Sequence, residues 1–192
     1  MIHSILKRST AELHNSLERR LSFLLSSELS LAQYVTLQKQ FYGFYQPIET
    51  RLAEVRNSDV LEFDLDQRLK VPLLINDLTH LGVAASEREQ IPLCDSLPAI
   101  ETAAEALGCL YVLEGSTLGG TIITGHLKKA LYLDEHWNCS FFNSYGDDVG
   151  RMWSAFVGVL RRHCQNYGDT DVMVRTACHT FASLDQWFSD VA

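Results

Sequence analysis

Apolar residues along this chain recur three and four positions apart, the spacing of one face of an α-helix. From Ser4 to about Leu24 the stripe contains Leu6, Thr10, Leu13, Leu17 and Leu21. Similar stripes cover residues 30–55, 66–81, 98–133, 148–167 and 171 to the end, with loops near 56–64, 84–97 and 134–146. The short segment SFFNSY is interpreted as a loop or the entry to a helix. The pattern predicts one all-α domain over residues 1–192, with six to eight helices.

One segment conflicts with its own helical pattern. Residues 110–120 read LYVLEGSTLGG, which places Gly115, Gly119 and Gly120 between two stretches that favour a helix. Each interior glycine destabilises a helix by about 1 kcal/mol relative to alanine. Side-chain-free positions one turn apart let a helix bend, and they let something flat approach its backbone. They equally allow a tight crossing with another helix, and both interpretations stay open.

His14 is the unusual histidine of the first stripe. With Thr10 four residues before it and Leu17 three after, its imidazole is expected on the buried side of the helix, and Glu18 follows one turn later. A ligating histidine commonly donates its second N–H to such a carboxylate. A half-buried core histidine fits the same pattern. A planar ligand between this helix and the glycine segment explains both features together.

Other chemistries are excluded by spacing and charge. The seven histidines form neither HxxxH nor HExxH, and no GxSxG follows a strand, which argues against zinc and serine hydrolases. The net charge of −8 argues against non-specific nucleic-acid binding. The five cysteines contain no CxxC pair, which is typical of reduced thiols. No apolar run has the roughly 20 residues needed to cross a bilayer, so we expect a soluble, cytoplasmic protein without membrane contact.

Two motifs together resemble one family. LKRSTAELHNSLE, from Leu6 to Glu18, resembles the first-helix signature LKxxTxxxHxxxE of the heme oxygenases, and EGSTLGG resembles their distal-helix GxxxGG. FYGFYQPIE also fits, and FFNSYGDDVGRMWSAF is similar to the bacterial branch that accompanies bacteriophytochromes. The resemblance spans nearly the whole chain. It implies a helical bundle in which heme lies between the first, proximal helix and a glycine-kinked distal helix.

The resemblance also implies roles for residues around the heme. His14 matches the proximal iron ligand and Glu18 its hydrogen-bonding neighbour. Lys7 matches a lysine that pairs with a heme propionate, and Arg151 lies where a later helix of the family supplies cations to the propionates.

On the distal side, Gly115, Gly119 and Gly120 match the glycines over the iron. Many members of the family have an aspartate directly after the first of these glycines, where it organises the waters that deliver protons. Ser116 occupies that position here. A hydroxyl holds water but does not buffer protons as a carboxylate does, so proton delivery is expected to use a different arrangement.

The implied activity is oxidative cleavage of heme, which is both substrate and cofactor, by dioxygen and reductant. The implied products are biliverdin (the IX-alpha isomer, if Lys7 seats the ring as usual), CO and ferrous iron. An electron-donor protein, a ferredoxin or a reductase, is implied, and a bacteriophytochrome is a possible acceptor of the product. Three alternatives stay open: a non-catalytic heme carrier or sensor on the same fold, an enzyme of similar layout acting on polar substrates, and a helical interaction module.

Overall fold

The computed structural model describes residues 2–56 and 64–190, which are helices joined by short connections with no strand among them. The α-helices are α1 (Ile2–Ser9), α2 (Ala11–Arg20), α3 (Leu31–Arg56), α4 (Val71–His80), α5 (Ala85–Arg88), α6 (Ala103–Ala130), α7 (Ser140–Asn143), α8 (Val149–Tyr167) and α9 (Thr170–Asp190). Leu21–Leu25, Asp66–Arg68 and Gly146–Asp148 form short 3-10 segments. The all-α prediction is confirmed. Most of the predicted loop near 56–64 lies outside the described residues.

The first predicted helix, Ser4 to Leu24, is divided into three pieces. It is interrupted at Thr10, which separates α1 from α2, and it ends in the 3-10 segment Leu21–Leu25. The Thr10 hydroxyl donates to the carbonyl oxygen of Leu6 at 2.8 Å. A β-branched residue that bonds back to the preceding turn is a poor continuation of a helix.

The third predicted helix begins later than expected. Pro72 was expected inside a helix over 66–81, but it lies in the first turn of α4, which starts at Val71. Proline is tolerated there because the first turn leaves its N–H groups unpaired anyway. The predicted stop at Gly82 is confirmed, since this glycine has a φ of +86°.

The long helix α6 forms the centre of the fold despite its glycines. The Thr102 side chain and the Glu105 side chain form a reciprocal capping box at its start. Almost all residues from Ala103 to Glu114 are buried, and α6 packs chiefly against α9. A Cβ at Gly108 would overlap the backbone of Met173 in α9, so this glycine sets the closeness of that crossing. Tertiary packing of this kind outweighs helix propensity, and the glycines do not end the helix.

Apolar composition alone would let α6 cross a membrane, and it is the one described helix with that property. However, 61% of its most apolar stretch is buried inside the fold. The composition is therefore that of a core helix. Of the cysteines, Cys94, Cys109 and Cys139 are buried, and none of the five forms a disulfide.

Candidate functional site

The first two helices and α6 meet at both ends of an open face. At one end, Tyr111 of α6 lies beside Thr10: burial raises the pKa of its phenol, and the Thr10 side chain offsets part of that rise. At the other, Nε2 of His126 lies 3.1 Å from the carbonyl oxygen of Ser26. Between these contacts, α2 packs against α9 rather than against α6. The part of α6 between these contacts, around Leu118 and Gly119, is exposed.

His14 lies on this open part of α2. Its side chain is 53% exposed, and its ring packs edge-on against Phe181 of α9 with the ring centroids 5.8 Å apart. The prediction that the imidazole lies on a buried stripe is wrong, because α9 meets the ring only through Phe181 and α2 buries none of its residues. The alternative of a core histidine is wrong for the same reason.

Glu18 lies one turn after His14, as the spacing predicts. One carboxylate oxygen is 3.6 Å from Nδ1 of His14, and the Glu18 side chain is also exposed. This distance exceeds a direct hydrogen bond, yet a small rotation of either side chain closes it. Glu18 thus stands on the Nδ1 side, and no described residue hydrogen-bonds to Nε2.

The three predicted glycines of α6 differ in their surroundings. A Cβ at Gly119 would meet nothing within 4 Å, and a Cβ at Gly115 would make ordinary contact with Trp153 at 3.8 Å. At Gly120, by contrast, a Cβ would overlap the carbonyl oxygen of Phe142 in α7. Gly120 therefore serves a tight crossing, whereas the backbone at Gly119 is uncovered and Gly115 lies beside Trp153. The helix-crossing interpretation is confirmed at Gly120, and the approach of a flat ligand at the other two glycines stays a prediction.

Exposed apolar side chains accompany the bare backbone of α6. Leu118 is 43% exposed and Ile122 is 70% exposed. Phe23 and Leu25, just after α2, are exposed as well. Single exposed apolar residues are normal, but several bordering one open face indicate a binding surface.

Ser116, at the position where the resemblance implies an aspartate in many members of the family, lies on the exposed side of α6 beside a buried tyrosine. Its hydroxyl donates to the carbonyl oxygen of Leu113 at 2.7 Å and lies 3.4 Å from the Tyr45 hydroxyl. Tyr45 is buried in α3, and burial raises the pKa of its phenol above the ordinary value. A phenol that keeps its proton can donate to Ser116 or to a water beside it. Tyr45 was not predicted as a site residue, although it lies in the aromatic-rich motif FYGFYQPIE.

The two predicted cations lie in different surroundings. Lys7 is exposed on α1. Burial lowers the pKa of His3, and the positive charges of Lys7 and of Arg161 of α8 each lower it further, so both cations lie near His3. Arg151 lies at the other end of α8, where its Nε donates to Asp148 at 2.9 Å. The structure thus places Lys7 and Arg161, which the sequence did not single out, near the same histidine, and it pairs Arg151 with an acidic neighbour.

Metal ligands are sparse around the open face. Within residues 2–56 and 64–190, no three His, Cys, Asp or Glu side chains gather to hold a metal ion. Histidine as a lone protein ligand suits an iron whose other ligands come from a porphyrin. Two surface clefts, of about 260 and 290 Å³, lie elsewhere, beside the start of α4 and beside Trp187. Neither cleft is lined by His14 or by the glycines of α6, and we infer the slot for a flat ligand from the exposed surfaces of α2 and α6.

Comparisons with known proteins agree with this architecture. The family model for heme oxygenase matches residues 2–190. Among curated proteins, no sequence matches the chain.

Solved structures share the fold at low identity. The NO- and CO-bound heme oxygenase from Neisseria meningitidis is 21% identical, with a TM-score of 0.80 over 100% of this chain and 92% of that one. The heme oxygenase from Leptospira interrogans is 19% identical, with a TM-score of 0.79 over 98% of both chains. Heme oxygenase-1 from the cyanobacterium Synechocystis, in complex with heme, is 16% identical, with a TM-score of 0.78 over 98% of this chain and 91% of that one.

The family model covers almost the whole chain, and the fold and the open face between the first helices and α6 agree with it. The chain therefore belongs to the heme oxygenase family and is a heme-degrading oxidoreductase.

Proposed function

We propose that this protein acts over its whole length as one unit and cleaves heme to biliverdin, CO and ferrous iron, with dioxygen and reductant as co-substrates. The observation that carries the proposal is the pairing of two surfaces: an exposed imidazole backed by a carboxylate on α2, and uncovered backbone with exposed apolar side chains on α6. When bound, heme is both the substrate that is opened and the source of the redox chemistry. The protein supplies position, exclusion of bulk water and protons.

On the proximal side, we assign His14 as the iron ligand. Coordination through Nε2 requires the tautomer with a proton on Nδ1, and an acceptor on the Nδ1 side favours that tautomer. The Glu18 carboxylate, 3.6 Å away, is the acceptor available. Glu18 thereby orients the ring and raises its basicity as a ligand.

At the edge of the slot, we assign the propionates to Lys7 and Arg161. Two cations on α1 and α8 suit two carboxylates at a water-accessible edge. Arg151, suggested by the resemblance, is the second candidate for this role, and it would first have to leave Asp148. Seating by Lys7 favours the IX-alpha isomer of biliverdin.

On the distal side, Gly115 and Gly119 let the backbone of α6 approach a flat ring closely, while Gly120 fixes the helix against α7. The Ser116 hydroxyl, backed by the Tyr45 phenol 3.4 Å away, holds water on this side. We assign proton delivery to water held by this pair, in place of the carboxylate found in many relatives.

Further partners follow from chemistry. An electron-donor protein, a ferredoxin or a reductase, must supply the electrons, and a basic face on it would complement a chain of net charge −8. Delivery of biliverdin to a bacteriophytochrome and a cytoplasmic location belong to the same proposal.

The deciding experiment is reconstitution with hemin followed by reduction in air, monitored by absorption and by chromatography of the pigment. We expect the heme bands to disappear and biliverdin IX-alpha to form with release of CO. A stable heme complex that yields no biliverdin would instead favour a carrier or sensor. Failure to bind heme at all would favour an interaction module or an enzyme acting on polar substrates.

A further inference from the structure

A buried group of charged side chains lies directly behind the distal segment of α6. Its members are Glu114, Arg68, Lys70 and Tyr145, here called the Glu114 cluster. Arg68 donates to one carboxylate oxygen of Glu114, and the Tyr145 hydroxyl donates to the other at 2.7 Å. Lys70 donates to the Tyr145 hydroxyl at 2.7 Å, and its Nζ is 3.7 Å from Glu114. The side chains of Glu114, Arg68 and Lys70 are no more than 5% exposed.

Burying charged side chains in this way destabilises the fold unless their hydrogen bonds are well aligned. Removing charged groups from water has a large desolvation cost, and their attraction offsets it only when the hydrogen bonds are well formed. Burial accordingly lowers the pKa of Lys70 to about 8. A shift of α6 along or about its axis would leave Glu114 or Arg68 buried without its partner. The cluster therefore favours one position of α6 over its neighbours.

The cluster ties α6 to three other segments at one residue. Arg68 belongs to the 3-10 segment Asp66–Arg68, Lys70 directly precedes α4, and Tyr145 follows α7. The backbone N–H of Lys70 also donates to Glu49 of α3 at 2.5 Å. Glu114 is thus a point at which several segments around α6 are joined to it by buried polar bonds.

Glu114 lies immediately before the glycine segment of α6, so the cluster fixes one end of that segment. It directly precedes Gly115 and Ser116, and the next residue fixed by close backbone contact is Gly120, against Phe142. Between these two points, Gly119 meets no neighbouring side chain and Gly115 meets only Trp153. Neither glycine contributes side-chain packing, which leaves the buried Thr117 and the Ser116 hydroxyl beside Tyr45 as the main side-chain contacts of residues 115–119. The placement of this segment therefore depends strongly on the anchors on either side.

We propose that Glu114 is a positioning residue for the distal helix: with Arg68 and Tyr145, it sets the height and rotation of residues 115–119 over the slot. The expected effect of Glu114 on turnover rests on the proposed function. Its effect on the position of residues 115–119 does not. Glu114 does not touch the ligand, and it acts through the backbone it holds.

The first test measures backbone hydrogen exchange in the heme-free protein, for the native chain and for Glu114→Gln and Tyr145→Phe. Glutamine keeps the volume of Glu114 but presents an amide N–H₂ or a neutral oxygen to Arg68. We expect faster exchange in residues 113–122 in both variants, with the rest of the chain little changed. Exchange equal to that of the native chain in this segment would overturn the proposal.

The second test uses hemin and reductant with the same variants. We expect the turnover rate to fall by about tenfold while the dissociation constant for heme changes by less than about threefold, because a misplaced distal segment affects the reacting geometry more than the seating. His163→Gln is the matched control, since His163 is buried and bonded to Asp169 at 3.1 Å at the junction of α8 and α9. A control that lowers turnover as strongly at equal stability would overturn the proposal. If the native chain itself makes no biliverdin, the proposed function fails, while the exchange result still decides the role of Glu114.

Discussion

At the scale of single residues, the double glycine of α6 combines two functions that the sequence did not separate. Gly119 and Gly120 are adjacent, yet one faces open space and the other faces the carbonyl oxygen of Phe142. In the sequence they differ in no way, because a glycine carries no side chain whose chemistry would show its neighbour. Only the three-dimensional arrangement assigns one to the slot and the other to packing.

Substitutions at these two glycines should therefore have opposite effects. Gly119→Leu should leave the free energy of unfolding unchanged or slightly raised, because leucine favours a helix more than glycine does, but it should lower biliverdin formation at least about tenfold. Gly120→Ala should destabilise the fold by about 1–3 kcal/mol through overpacking. Urea denaturation and the biliverdin assay measure both. Full activity in Gly119→Leu would contradict the role assigned to this glycine.

His14 shows where sequence reasoning was right and where it could not succeed. The sequence alone paired His14 with Glu18, since residues four apart share a helix face. It also placed the imidazole on a buried stripe, and that was wrong. Periodicity identifies a face but not what covers it, and the face of α2 that carries His14 is open.

At the scale of elements, the sequence predicted the existence of the long helices better than their boundaries. α3, α6, α8 and α9 lie where the apolar spacing placed them. The first and third predicted helices are broken or shortened, at Thr10 and before Pro72, where local backbone chemistry competes with the pattern. The Glu114 cluster could not be predicted, because its members come from residues 68, 70, 114 and 145, far apart in the chain.

The Glu49 side chain connects α3 to the start of α4 by hydrogen bonds. Because this carboxyl group is buried, we expect it to make the folding stability depend on pH. Its carboxylate accepts from the backbone N–H groups of Lys70 and Val71, but burial raises its pKa from 4.5 to about 7. Between these pH values the folded chain keeps a proton that the unfolded chain has lost. Folding stability should therefore fall as the pH rises from about 4.5 to about 7, by at most about 3 kcal/mol.

Glu49→Gln should remove this dependence, because the amide oxygen accepts the same two bonds without titrating. Urea denaturation of both proteins at pH 5 and pH 7.5 measures the difference. The titration of Lys70 does not interfere with this comparison. Burial lowers its pKa only to about 8, so its contribution to the pH dependence of stability lies at higher pH. The same pH slope in both proteins would contradict the assignment to Glu49.

At the scale of the whole molecule, the proposed propionate edge combines cations from two helices of a chain whose net charge is −8. Lys7 on α1 and Arg161 on α8 both act on His3, because these helices pack against each other. The sequence suggested Arg151 for this edge, since the register of a propionate cation on α8 was not fixed by any motif. Ten residues of helix, about 15 Å, separate the two arginines.

Substitution of these cations should show whether Arg161 or Arg151 of α8 binds a propionate. Lys7→Ala and Arg161→Ala should weaken heme binding by roughly three- to tenfold and alter the ratio of biliverdin isomers, since a charge-assisted hydrogen bond contributes about 1 kcal/mol or more. Arg151→Ala is the matched control on the same helix, and it should change neither. Titration with hemin and chromatography of the pigment measure both. A larger effect at Arg151 than at Arg161 would show that Arg151, as the resemblance suggested, is the arginine that binds a propionate.

The central claim is that heme is held through the exposed imidazole of His14. Absorption-monitored titration with hemin tests it most directly, using the native chain, His14→Ala, and His136→Ala as a control at another exposed histidine. The account predicts a sharp Soret band in the native chain and in His136→Ala. It predicts a shifted band and at least about tenfold weaker binding in His14→Ala. A spectrum and an affinity in His14→Ala identical to those of the native chain would contradict it.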